Sequence, residues 1–249
     1  MLEIKNLSAT IGGRNILRDV SLHLPAGSLT ALVGKNGCGK STLLSCIAGL
    51  RTHTGAVLLR GEELRSMAPR ERAKKLSLLP QHLSAPHMTV EELVRLGRNP
   101  YVDLGCHFGE KDRAAVTRAM ESAEVTELSG RFVDELSGGE RQRAYLAMTL
   151  AQETELLILD EPTTHMDLSG GDAFLHQLQK LKGEGRTLLV VMHDLAQAAR
   201  YADRIAVMAE GELVFAGEAE ACLASGALER ALGVRRYVSE GRSFFASDL

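Results

Sequence analysis

The run Gly34-Lys35-Asn36-Gly37-Cys38-Gly39-Lys40-Ser41 follows the apolar stretch Leu29–Val33 and opens the apolar segment Lys40–Ala48. It matches GxxxxGK[ST], for which about 0.01 chance matches are expected in a chain of this length. A strand before such a loop and a helix after it are what phosphate binding requires. The glycines let backbone N–H groups curl around phosphate oxygens, and the helix N-terminus adds its dipole to the same anion site. Lys40 reads as the cation facing the β- and γ-phosphates, and Ser41 as a Mg²⁺ ligand. Gly34, Asn36, Gly37, Cys38, Gly39 and Thr42 complete the loop and the start of its helix.

The rest of the composition narrows the classes. With 249 residues, 45% hydrophobic and 24% charged, the chain has the make-up of a soluble globular protein and fits one domain over residues 1–249. A formal net charge of −3, no Trp, and only 4% aromatics argue against a nucleic-acid partner, which calls for cationic surface and stacking platforms. No apolar run approaches the roughly 20 residues needed to cross a bilayer, and the start carries no export signal. Cys38, Cys46, Cys106 and Cys222 lack CxxC spacing and read as reduced thiols. The eight histidines show no metal-ligand clustering.

Short β-like runs alternate with helical stretches, the pattern of an α/β domain with a largely parallel sheet. An antiparallel pair is expected near Leu2–Leu7 and Ile16–Leu24, turning at Gly12-Gly13. Strands are expected at Leu29–Val33, Ala56–Leu59, Leu76–Leu79, Leu156–Leu159, Thr187–Met192, Ile205–Met208 and Leu213–Phe215. Residues 82–152 read instead as an inserted helical segment: Thr89–Leu96 with a Thr89/Glu92 capping box, Glu110–Ala123, and Gly138–Ala151. The charged helix Glu110–Glu121 reads as a solvated face. The tail from Glu218 to Leu249 reads as short helices followed by an end to which no element is assigned.

Two further motifs carry chemistry. Leu156-Leu-Ile-Leu-Asp160-Glu161 sets two carboxylates at the end of a buried strand, where open α/β sheets bind ligands. Asp160 suits Mg²⁺, and Glu161 suits polarising an attacking water. Leu136-Ser137-Gly138-Gly139-Glu140 precedes an apolar helix and exposes N–H groups at its start, a second anion site. In this order the motifs resemble those of the ATP-binding-cassette ATPases, whose signature is LSGGQ; here the fifth position is Glu140. The resemblance spans essentially the whole chain. It implies a P-loop NTPase (RecA-like) core with N-terminal antiparallel β elements and an inserted α-helical subdomain.

The resemblance also implies roles. Gln81 matches the glutamine that approaches Mg²⁺, with Ser41 and Asp160 as the other metal positions. His193 matches the histidine that contacts the γ-phosphate, and Asp167 the aspartate of Thr163-Thr164-His165-Met166-Asp167, in which neither His165 nor Met166 is given a special role. Glu161, His193 and Lys40 are the implied catalytic set. ATP would lie between the phosphate loop of one copy and Ser137, Gly138, Gly139 and Glu140 of a second. The segments Leu78–His82, Met88–Leu93 and Gly97-Arg98-Asn99-Pro100-Tyr101 look like those of iron–siderophore importers. That implies transmembrane permease subunits, indirectly a substrate-binding protein, and a place on the cytoplasmic face of the inner membrane. Importers of haem or vitamin B12, other transporters, and soluble relatives acting on nucleic acid or ribosomes are the alternatives.

One position departs from the family pattern. Ile11 stands where relatives carry an aromatic that stacks on adenine, and an aliphatic face packs against a base without ring stacking. Ile11→Tyr is therefore expected to raise the ratio of ATP to GTP turnover, and equal ratios in the two proteins would refute the assignment.

Overall fold

Alternation and continuity of apolar residues sort the strands into two kinds. The computed structural model describes residues 1–102, 108–164, 166–239 and 241–247, so Cys106 and His165 lie outside the described residues. β1 (Leu2–Ile11) and β2 (Arg14–Leu24) carry interspersed buried and exposed positions, as strands with a solvated face do. They pair antiparallel around Gly12-Gly13, with Ile11 opposite Arg14. β3 (Leu29–Gly34) is buried throughout, as a parallel strand covered on both faces must be. It leads to α1 (Lys40–Ile47), β4 (Thr54–Leu59), β5 (Glu62–Glu63), α2 (Pro69–Ala73) and β6 (Leu76–Leu79). α3 (Val90–Leu96), α4 (Glu110–Ser122) and α5 (Gly138–Ala151) come next, then the buried β7 (Leu156–Asp160) and α6 (Leu168–Gly183). The chain continues through β8 (Thr187–Val191), α7 (Leu195–Tyr201), β9 (Arg204–Ala209) and β10 (Glu212–Glu218). α8 (Ala219–Ser225), α9 (Ala227–Leu232), β11 (Val234–Ser239) and β12 (Arg242–Ser247) close it.

Contacts divide the chain into two units, residues 1–67 with 178–249, and residues 68–177. In the first, β1, β2, β4 and β5 form an antiparallel sheet in the order β2-β1-β4-β5. A second sheet there runs β10-β9-β3-β8, with β3 parallel to both β9 and β8. In the second unit β6 and β7 pair in parallel. The named elements between residues 82 and 152 are helical, as expected. Thr89 caps α3 and forms the expected capping box with Glu92. α4 turns Ala115, Val116, Ala119 and Met120 inward and leaves most of its charged residues exposed or half-buried. In the tail α8 and α9 are the short helices expected, and the end, left unassigned from sequence, forms the β11–β12 hairpin, Tyr237 opposite Phe244. Its strands are only partly covered, so no buried apolar run marked them. Among the described cysteines, Cys38, Cys46 and Cys222 are free thiols.

The Gly97–Tyr101 motif has a structural role within the second unit. Arg98, 5% exposed, bonds Asp112 at 3.0 Å, Glu153 at 2.7 Å and the Ala151 carbonyl at 2.8 Å. Its guanidinium lies 4.0 Å from the Tyr101 ring centroid, and the Tyr101 hydroxyl donates to the Gln152 carbonyl at 2.9 Å. One cation thus ties the loop after α3 to α4 and to the end of α5. Burial alone would raise the Asp112 carboxyl, but hydrogen bonds from Arg98 and the Gly109 N–H hold it below the usual range. Glu153 is likewise pushed up by burial and held low by Arg118 and Arg98. Carboxylates held low contribute stability above their unfolded pKa, and that stability is lost as pH falls through the folded value. Arg98→Met is expected to cost about 2–3 kcal/mol at neutral pH and to flatten the acid-side decline. Urea unfolding across that range checks it; an unchanged midpoint at neutral pH would contradict the account.

Candidate active site

The phosphate loop belongs to the first unit and is built by its backbone. Two of its glycines are sterically required. A Cβ on Gly34 would stand 2.5 Å from the Met208 carbonyl oxygen. Gly39, in the left-handed region at φ 111°, would place one 2.8 Å from Leu17 Cδ2. The Cys38 N–H donates to the Lys35 carbonyl at 3.2 Å, and the Cys38 carbonyl accepts from the Gly211 N–H at 3.0 Å. The Gly211 carbonyl in turn accepts from the Arg18 N–H at 2.9 Å. The turn between β9 and β10 therefore buttresses the loop from outside.

Lys40 is 5% exposed. Its ammonium donates to the carbonyls of Gly34 at 2.8 Å and Lys35 at 3.2 Å. A buried ammonium must be hydrogen-bonded, and here neutral carbonyls satisfy it, so its charge is not cancelled by a carboxylate within these bonds. Asn36, Gly37 and Ser41 are exposed and Thr42 is half-buried. β3 and β8 run in parallel with Leu32 opposite Val191. His193, two residues past Val191, consequently leaves the same carboxyl edge as the phosphate loop, and it is exposed. Asp194 fixes the next turn: its side chain caps α7, accepting from the N–H groups of Ala196 at 2.8 Å and Gln197 at 3.2 Å. Ile11 stands on the other sheet of this unit, exposed at the end of β1.

The second unit holds the carboxylates. β6 and β7 are in register with Leu79 opposite Leu159, so Gln81 and Glu161, each two residues further on, leave the same edge. The Gln81 amide donates to the Glu161 carboxylate. Glu161 has φ 52°, a left-handed backbone that is costly for a residue with a Cβ. The Thr164 hydroxyl donates to the Glu161 carbonyl at 3.1 Å. Asp160 ends the buried strand at 7% exposed. Asp167 accepts from the Gly170 N–H at 2.6 Å and so caps the start of α6.

The signature also lies in this unit, at the start of α5. Ser137 is its N-cap and forms a capping box with Glu140. Hydrogen bonds from the Ser137 hydroxyl and N–H hold the Glu140 carboxyl below its usual range against the effect of burial, and Arg131 adds to them. Reasoning from the sequence missed three contributors. Asp194 was detectable as an N-cap before an apolar helix, and Thr164 belonged to a motif already noted. Arg131 had no local signal, lying nine residues before its partner Glu140.

A family model described as ABC transporter matches residues 17–164. The chain is similar to the ferric enterobactin transport ATP-binding protein FepC of Escherichia coli (strain K12), 41% identical over 234 residues, 93% of this chain and 86% of that one. It is also similar to the hemin import ATP-binding protein HmuV of Myxococcus xanthus (strain DK1622), 40% identical over 248 residues, 96% and 92% of the two chains. Among solved structures, cbiO1 from Clostridium perfringens, part of the ABC transporter complex cbiONQ, superposes with a TM-score of 0.80 at 25% identity, covering 92% of each chain.

Replacing the buried ammonium tests the loop. Lys40→Ala is expected to weaken ATP binding at least tenfold, read by equilibrium titration with a fluorescent ATP analogue, with the far-UV spectrum unchanged. Undiminished affinity would remove Lys40 from the site.

Proposed function

Because this chain belongs to the ABC transporter family and is an ATPase of that kind, we propose that its ATP hydrolysis drives import of a ferric siderophore through a separate transmembrane permease. The observation that carries the cargo is the 41% identity to a ferric enterobactin transport subunit over 93% of the chain. The siderophore-type segments between Leu78 and Tyr101 agree with it. The 40% identity to a hemin import subunit over 96% of the chain supports haem as the second reading.

In the proposed cycle two copies close on ATP, each giving a phosphate loop to one nucleotide and a signature to the other. Lys40 and the loop N–H groups hold the phosphates, and Ser137, Gly138 and Gly139 of the second copy add N–H and hydroxyl donors. His193, beside the loop on the neighbouring strand, steadies the γ-phosphate. Glu161 takes the proton of the attacking water. Closing joins the two copies, and loss of the γ-phosphate separates them.

Mg²⁺ fits the chain's donors, which are hard oxygens: the exposed Ser41 hydroxyl, the Asp160 carboxylate and the Gln81 carbonyl left over when its amide donates to Glu161. When bound, the ion neutralises phosphate charge. Among the described residues no helix is long and apolar enough to cross a membrane. We place the chain peripherally on the cytoplasmic face, with residues 82–152 meeting the permease and a substrate-binding protein acting on the far side.

Glu161→Gln keeps the size of the side chain and removes the base. The variant is expected to bind ATP, to persist as an ATP-bound dimer by light scattering, and to turn over at least about 100-fold more slowly. Near-normal turnover would count against Glu161. For cargo, the chain is copurified with its permease and reconstituted in liposomes with the binding protein. Ferric siderophores should stimulate hydrolysis; stimulation by haem alone would favour the second reading.

A further inference from the structure

We propose that Arg131 sets the affinity of the signature for nucleotide by neutralising Glu140, and is thus a positioning residue of the ATPase. The proposal rests on the reading above, that the signature of one copy receives the nucleotide held by the other. It starts from a chemical oddity. The first turn of α5 offers N–H groups and the positive end of a helix dipole, yet Glu140 puts a carboxylate into that turn.

The hydrogen bonds define what that carboxylate does. One oxygen of Glu140 accepts from the Ser137 N–H at 2.9 Å and from the Ser137 hydroxyl at 2.7 Å. The hydroxyl oxygen itself accepts from the Glu140 N–H at 3.3 Å. A hydroxyl has one proton and an ionised carboxylate only accepts, so the Ser137 proton is committed to Glu140. A phosphate approaching α5 therefore meets a negative charge and a serine whose donor is engaged. A glutamine at position 140 would remove the first effect, the charge, while its amide oxygen still accepts from the Ser137 N–H and hydroxyl.

Arg131 offsets the first effect. One guanidinium nitrogen bonds the other Glu140 oxygen at 3.0 Å, and a second donates to the Glu135 carbonyl at 3.1 Å. Its backbone is fixed as well, the N–H donating to the Leu128 carbonyl at 2.9 Å and the carbonyl accepting from the Val90 N–H at 3.0 Å. The cation is thus placed before any nucleotide arrives. Because the Arg131 and Glu140 side chains are 44% and 25% exposed, solvent screens the pair and the effect on affinity is moderate.

Steady-state ATPase of the full chain tests this, with Km and kcat separated. Arg131→Gln is expected to raise Km for ATP roughly three- to tenfold with kcat nearly unchanged, while Arg131→Lys stays close to the parent. Glu140→Gln should lower Km, and adding Arg131→Gln to Glu140→Gln should leave Km at the Glu140→Gln value rather than raise it. That loss of effect is the decisive outcome, because a merely structural Arg131 would cost the same with either residue at position 140. Equal costs in both backgrounds, or no change in Km, would overturn the proposal. Gly139→Asp distinguishes the role of the signature from that of Arg131, since a Cβ there meets nothing closer than Arg143 Nη1 at 3.9 Å. If Gly139→Asp keeps full activity, the reading of the signature as a nucleotide site fails, and the proposal fails with it. If it abolishes activity and Arg131→Gln costs the same in both backgrounds, only the role of Arg131 falls.

Discussion

The proposed chemistry depends on a short glycine-rich stretch of backbone between β3 and α1 that would offer N–H groups to an anion. A loop that short cannot hold such a shape by itself, because each residue fixed costs about 1–2 kcal/mol of conformational entropy. The surrounding elements supply the constraint. β3 is buried along its whole length, α1 takes over at Lys40, and the Gly211 turn clamps the outside through the Cys38 carbonyl. Within that frame the Lys40 ammonium rests on two loop carbonyls. These are neutral partners, easily exchanged for phosphate oxygens, whereas a carboxylate would compete with the nucleotide for the charge.

The same logic of register places the other groups. Parallel pairing of β3 with β8 sends the phosphate loop and His193 off one edge. Parallel pairing of β6 with β7 does the same for Gln81 and Glu161, close enough for a direct hydrogen bond. The left-handed backbone at Glu161 is strain placed at the group assigned to the base. In both units the candidate groups stand within two residues of a strand's end, so small errors of strand alignment would displace them.

What could be read in the sequence followed from physical contrast. β3, β7 and β8 are buried on all sides, and their uninterrupted apolar runs announced them. Gly138–Ala151 has the bounds expected, because a serine cap starts it and Gln152 and Glu153 follow it. The β11–β12 hairpin escaped notice since its residues are mostly half-covered or exposed, which leaves little apolar pattern to detect. α2 is five residues long, shorter than a periodicity can reveal. Within the candidate site, the loop, Asp160 and Glu161 were singled out by residue types at strand ends, whereas His193 was singled out only by the family resemblance. The bonds of Gln81 to Glu161 and of Arg131 to Glu140 join positions 80 and 9 residues apart, and no local rule encodes such distances.

We propose that each catalytic site is completed by a second copy of the chain. Mixing two inactive variants tests it most directly. Lys40→Ala removes the phosphate grip but keeps a sound signature, and Gly139→Asp does the reverse. A mixed pair then contains one intact loop facing one intact signature, whereas neither variant alone has any. ATP hydrolysis that is absent from each variant and recovered on mixing is the predicted result. No recovery, with mixed pairs demonstrated by differential tagging, would contradict a site shared between copies.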